Sequence, residues 1–99
     1  MNYEQEYDSM HEGDIEGMDI VYADWIAEFE QAKSTGDDSD VYHMILRTES
    51  KYCIWKILQY LKTIAELESS DDPVEHWRGF LAKTNMRICR DKLKDEYRD

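Results

Sequence analysis

Few residues in this chain have the type and spacing to do covalent or metal chemistry. The histidines are His11, His43 and His76, and the cysteines are Cys53 and Cys89. There is no CxxC and no HxxxH, so the ligand spacings of a zinc site are missing. The stretch from Asp37 to Glu49 is acidic but lacks the central glycine and alternating ligands of an EF-hand loop. His11, Glu12 and Asp14 lie close together, but on a segment with little apolar material to hold it. No GxSxG elbow and no glycine-rich phosphate loop occurs. A Cys–His pair could be drawn from Cys53 or Cys89 with His43 or His76. Both cysteines, however, sit among core-type residues, where thiols are usually inert. The expectation is of no catalytic residues, no metal and no cofactor.

Carboxylates are the abundant functional group. The chain has 99 residues and a net charge of −11, with 23 acids against 12 lysines and arginines. Thirteen of the acids fall within residues 1–40, where Lys33 is the sole base, so the polyanionic character is confined to the first two-fifths. Coulomb repulsion then opposes direct binding to nucleic acid or to an anionic membrane, and favours a protein with a basic surface. Glu4, Glu6 and Asp8 alternate, as do Glu12, Asp14 and Glu16. In an extended chain such residues project on one side every 6.6–6.8 Å or so, roughly two phosphate steps of one DNA strand. Asp24 and Glu28 share a helix face at i, i+4, where like charges cost a few tenths of a kcal/mol.

Aromatic residues interleave with these acids. Tyr3, Tyr7, Tyr22 and Trp25 lie within or beside the run, and such rings anchor protein interfaces while carboxylates steer the encounter. The candidate partner-binding residues are Glu4, Glu6, Tyr7, Asp8, Glu12, Asp14, Glu16, Asp19, Asp24 and Glu28. The bland alternative is that Arg78, Lys83, Arg87, Arg90, Lys92, Lys94 and Arg98 lie against the acidic segment and neutralise part of it. Seven bases cannot balance thirteen acids, so an exposed excess is expected either way, and solubility alone could account for it.

The elements that must position these groups read as helical. Residues 1–17, with Gly13 and Gly17 and few aliphatics, are expected to form an extended or weakly ordered arm, and residues 18–99 a helical domain. Met18, Tyr22, Trp25, Ile26 and Phe29 recur at steps of three and four, predicting a helix that ends near Gly36, a residue suited to a left-handed cap. A second helical stretch covers about Val41 to Glu68, with the polar run Arg47–Lys51 as a candidate break. Asp72, Pro73 and Glu75 are a strong start for a last helix, running to about Tyr97 with Trp77, Phe80, Leu81, Ile88 and Leu93 as buried candidates. Gly79 is expected to weaken that helix by roughly 1 kcal/mol relative to alanine. The short turn near residue 70 folds the last two helices into an antiparallel hairpin, bringing Cys53 and Cys89 to similar levels, as core residues or as a disulfide. The fold class is therefore all-α, a small bundle of three to four helices with an acidic N-terminal arm.

No run of about 18 apolar residues is present, so no membrane helix is expected. The start, MNYEQEYD, does not read as a secretory signal, so a cytoplasmic location with reduced thiols follows (the host cytoplasm, if the chain is viral). The functional expectation is a small acidic inhibitor, viral or from a mobile element. It would occupy the basic surface of a nucleic-acid-binding enzyme or related protein, as a DNA mimic does. One alternative is a structural or assembly protein that self-associates through apolar helix faces, as a homodimer. Another is an immunity- or antitoxin-type neutraliser of a basic toxin.

Overall fold

The computed structural model describes residues 3–94, which form six α-helices and one 3₁₀ turn with no strand among them. The helices are α1 (Tyr3–Asp8), α2 (Glu12–Val21), α3 (Ala23–Ser34), α4 (Asp38–Arg47), α5 (Lys51–Ala65) and α6 (Pro73–Lys94), with the 3₁₀ turn at Glu66–Ser69 between the last two. The all-α class stands. A bundle of three to four helices does not describe the architecture, because the two longer helices expected upstream both break and the N-terminal segment is itself helical. The side chain of Tyr3, the expected helix end near Tyr97, and Arg98 lie outside the described residues.

The breaks have local causes. The helix expected to begin at Met18 starts at Glu12, and Tyr22 then leaves helical geometry at φ −104°, ψ 26°. That bend lets the Tyr22 ring stack on Tyr52 of α5 at 5.5 Å. The second stretch breaks at Thr48–Ser50, where Thr48 is extended and Ser50 caps α5 by accepting from the Cys53 N–H. At the first turn Gly36 adopts φ +73°, and Asp37 then caps α4 by accepting from the Ser39 N–H at 2.9 Å. Asp72 caps α6 through the Val74 N–H at 3.0 Å. Glu75 does not reach the Asp72 N–H directly; the Ser70 hydroxyl accepts from that N–H and donates to Glu75.

Helices α5 and α6 are the antiparallel pair that carries the core. Gly79 meets the backbone of Leu67 and Glu68 near the turn, and Lys51 reaches the Lys92 carbonyl at the far end. Ile54, Ile57, Leu58 and Leu61 of α5 pack with Ala82, Met86, Cys89 and Leu93 of α6, and Phe29, Val41, Met44 and Ile45 close the core from α3 and α4. Ile57 and Leu58 are 0% exposed, each worth roughly 1.5–3 kcal/mol of apolar burial. Cys53 and Cys89 are both buried and free, so the two thiols are core residues without a bond between them.

Two readings of α6 are corrected. Trp77 and Phe80 are not core: they stand 56% and 46% exposed, stacked on each other at 5.4 Å. The inward row of α6 is Gly79, Ala82, Met86, Cys89 and Leu93, and helical spacing puts Trp77 and Phe80 on the other side. Gly79 is not merely a weak helix former. A Cβ there would lie 2.7 Å from the Glu68 Cα and 2.8 Å from the Leu67 carbonyl carbon, closer than carbon atoms can pack. Only glycine lets the 3₁₀ turn cross α6 at this point.

Candidate functional site

The acidic N-terminal segment is not an extended arm. It forms α1 and α2, and α1 packs against α5 and α6. The helical period of 3.6 replaces the strand period of 2, so alternate acids no longer share a side. Glu4 and Asp8 fall together on one face of α1, with Glu6 on the other. In the same way Glu12 and Glu16 share one edge of the outer face of α2, with Asp14 on its opposite edge.

Glu4, Asp8, Asp19 and Glu28 are tied to the fold by ion pairs, Glu4 and Asp19 partly buried and Asp8 and Glu28 exposed. Glu4 pairs with Lys62 at 2.9 Å and with Arg90 at 3.3 Å. Burial alone would raise its pKa, but those two cations outweigh it and hold the carboxyl below its ordinary value. Asp8 accepts from the Trp55 indole N–H at 2.7 Å and from Gln59 at 3.2 Å, with the Lys62 ammonium 3.8 Å away. Asp19 accepts from the Tyr52 hydroxyl and pairs with Lys56 at 3.2 Å. The Tyr52 hydrogen bond, helped by Lys56, holds the Asp19 carboxyl low. Burial and the Asp19 charge push the Tyr52 phenol far upward. Glu28 pairs with Arg47 of α4.

The candidate aromatics are consumed in the same way. Tyr7 lies between Tyr52 and Trp55, with ring centroids 5.9 and 5.8 Å away. Trp25 stacks on Phe29 at 5.1 Å. Tyr7 and Tyr22 therefore fasten α1 and α2 to α5.

The basic face of α6 neutralises only part of the acidic segment. Arg90 takes Glu4, and Arg78 grips Asp38 through two bonds of 2.7 and 2.9 Å. Lys83 pairs instead with Glu68. Lys92 donates to the carbonyls of Ile45, Leu46 and Thr48 at 2.6, 3.3 and 2.8 Å. It thus caps the C-terminus of α4, where the helix dipole is negative.

Glu6, Glu12, Asp14, Glu16 and Asp24 remain. All five are exposed, and none makes an ion pair among the described residues. Ile20 and Val21 on α2 are 78% and 72% exposed and lie outside the apolar stripe that begins at Met18. Gly13 and Gly17 lie on the same outer face with no atom within 4 Å of a would-be Cβ. Nothing in the monomer requires glycine there, and each costs the helix about 1 kcal/mol relative to alanine. The sequence signal for this face is the row Ile15, Met18, Asp19, Tyr22. Its three-and-four spacing carries the helix back to Glu12 and turns Glu12, Glu16 and Ile20 outward.

Among the described residues no three or more His, Cys, Asp or Glu side chains converge as metal ligands. Cys53 and Cys89 are 1% and 0% exposed, while His43 and His76 lie at the surface. Burial pushes the Cys89 thiol up to about 12. No described helix is long and apolar enough to cross a membrane. The described residues thus define an all-α protein whose outer α2 face is acidic and apolar together. No family model, curated protein or solved structure matches the chain.

Proposed function

We propose that the chain is a non-catalytic binding protein that docks the outer face of α2 on a basic surface of a partner protein. The observation that carries this reading is the exposed acid set Glu12, Asp14 and Glu16 on α2, with Glu6 on α1 and Asp24 on α3, none of which makes an ion pair among the described residues, together with the exposed Ile20 and Val21. A fold seeking only self-neutralisation had Arg87 and Lys94 to offer, and neither pairs with these acids among the described residues. Carboxylates raise the encounter rate and set register, and the two aliphatic side chains supply area that leaves water. Glu12 and Glu16 stand about 6 Å apart along the helix axis, close to two phosphate steps of a DNA strand. The partner class that fits is therefore a nucleic-acid-handling protein, whose phosphate-binding surface these carboxylates occupy. Inhibition of such a protein by competition is the function we assign, in the manner of small viral or mobile-element inhibitors.

The test is capture from lysate on tagged protein, with a variant in which Glu6, Glu12, Asp14, Glu16 and Asp24 are all changed to Lys. The wild type is expected to retain a basic nucleic-acid-handling protein at low salt and release it to added DNA, and the variant to retain none. Glu4, Asp8, Asp19 and Glu28 stay intact because they hold the fold. If variant and wild type retain the same proteins, while circular dichroism shows equal helicity, the reading is overturned.

A further inference from the structure

We propose that the exposed face of α6 is a second docking surface, and that its occupant is the α2 face of another copy of this chain. The face begins with Val74, Trp77 and Phe80, all exposed, and continues along the same side to Thr84 and Arg87. Trp77 and Phe80 form a stacked pair that the monomer leaves in water. Such aromatic pairs beside an arginine are the residues that dominate protein interfaces. Arg87 is exposed and makes no ion pair among the described residues. The α6 face is thus apolar at its N-terminal end and carries the unpaired Arg87 further along, with the exposed Asp91 one turn beyond it.

The complement of that pattern is present in the same chain. On α2 the outward row is Glu12, Glu16 and Ile20, negative at its N-terminal end and apolar at the other. Laid antiparallel, Ile20 meets Trp77 and Phe80 while Glu12 meets Arg87. The spacings agree: Ile20 to Glu12 is about 12 Å along its helix, and Phe80 to Arg87 about 10.5 Å along the other. Gly17 flattens the α2 face one turn before Ile20, where the aromatic rings approach the helix backbone, and Gly13 does the same beside Glu12, level with Arg87. That close approach explains two exposed helix glycines that the monomer itself does not use. The inference shares its α2 face with the reading above, so a bound basic partner and self-association compete for it.

Sedimentation velocity over a concentration series tests this on the whole chain. The expected result is a mass that rises with concentration up to about 100 μM. Trp77→Ala with Phe80→Ala, both at exposed positions, weakens it by about tenfold or more. Glu12→Arg alone and Arg87→Glu alone each weaken it, and the double variant recovers it, because the exchanged charges again face each other with opposite sign across the two copies. Recovery is the readout that a merely structural role cannot produce. A monomeric mass at every concentration, or a double variant no better than the singles, overturns the inference. Either failure leaves the lysate capture result standing, since that rests on a different partner. Conversely, self-association with no basic protein captured overturns the binding reading alone.

Discussion

The carboxylate of Glu4 and the guanidinium of Arg90, 86 positions apart, meet at 3.3 Å and tie α1 to α6. Lys62 closes the same carboxylate from α5 at 2.9 Å, so one side chain joins three helices. Its side chain is 19% exposed, which places the pair between a screened surface bridge and a buried one.

Glu4→Gln keeps the shape of that side chain and removes the charge that both cations use. The expected loss is about 1 kcal/mol of global stability, at the upper end for partly exposed pairs. The larger local effect is on α1. Amide hydrogen exchange over residues 3–21 is expected to accelerate, while α5 and α6 stay protected. Uniform exchange across the chain would show that Glu4 does not anchor this segment.

Acid is expected to release α1 and α2 before the core opens. Glu4 and Asp19 are both held below their ordinary values of 4.5 and 3.8 in the folded chain. The folded state therefore binds fewer protons than the unfolded state in this range. Their stabilisation is complete above pH 4.5 and is lost as pH falls through the lower folded values. Near-ultraviolet circular dichroism reports it, because Tyr7, Tyr22, Tyr52 and Trp55 form one aromatic layer that disperses when α1 and α2 leave. A far-ultraviolet loss that coincides with the near-ultraviolet change would mean the chain unfolds as one unit.

Gly79→Ala is expected to destabilise the fold by about 1–3 kcal/mol, despite alanine's better helix propensity. The added carbon collides with the backbone of Leu67 and Glu68, which cannot rotate away as a side chain could. Denaturant unfolding of the variant measures this directly. A gain in stability would mean that the 3₁₀ turn does not cross α6 at this distance. Gly17→Ala is the control: its Cβ meets open space, so the same change there is expected to stabilise the isolated monomer.

Much of this molecule follows from local chemistry. The helical class, the left-handed turn at Gly36, the Asp72–Pro73 start of α6, the break between Arg47 and Lys51 and the net negative excess of residues 1–40 all depend on near neighbours. Side-chain period, capping groups and charge can be read over a few residues, and they need no knowledge of the rest of the chain. The helicity of the N-terminal segment is not local, because its two helices are held by Tyr7 and Tyr22 against Tyr52 and Trp55, partners thirty or more positions away. Propensity alone favours an extended arm there, since two glycines and many like charges each weaken a helix. Packing against α5 and α6, with Lys62, Arg90 and Lys56 waiting for Glu4, Asp8 and Asp19, reverses that balance. The same packing decided which carboxylates the fold uses and which it leaves to solvent. It also turned Trp77 and Phe80 outward, because the close crossing at Gly79 sets which side of α6 faces the core. Such choices depend on contacts between distant segments, and those exist only once the chain has folded.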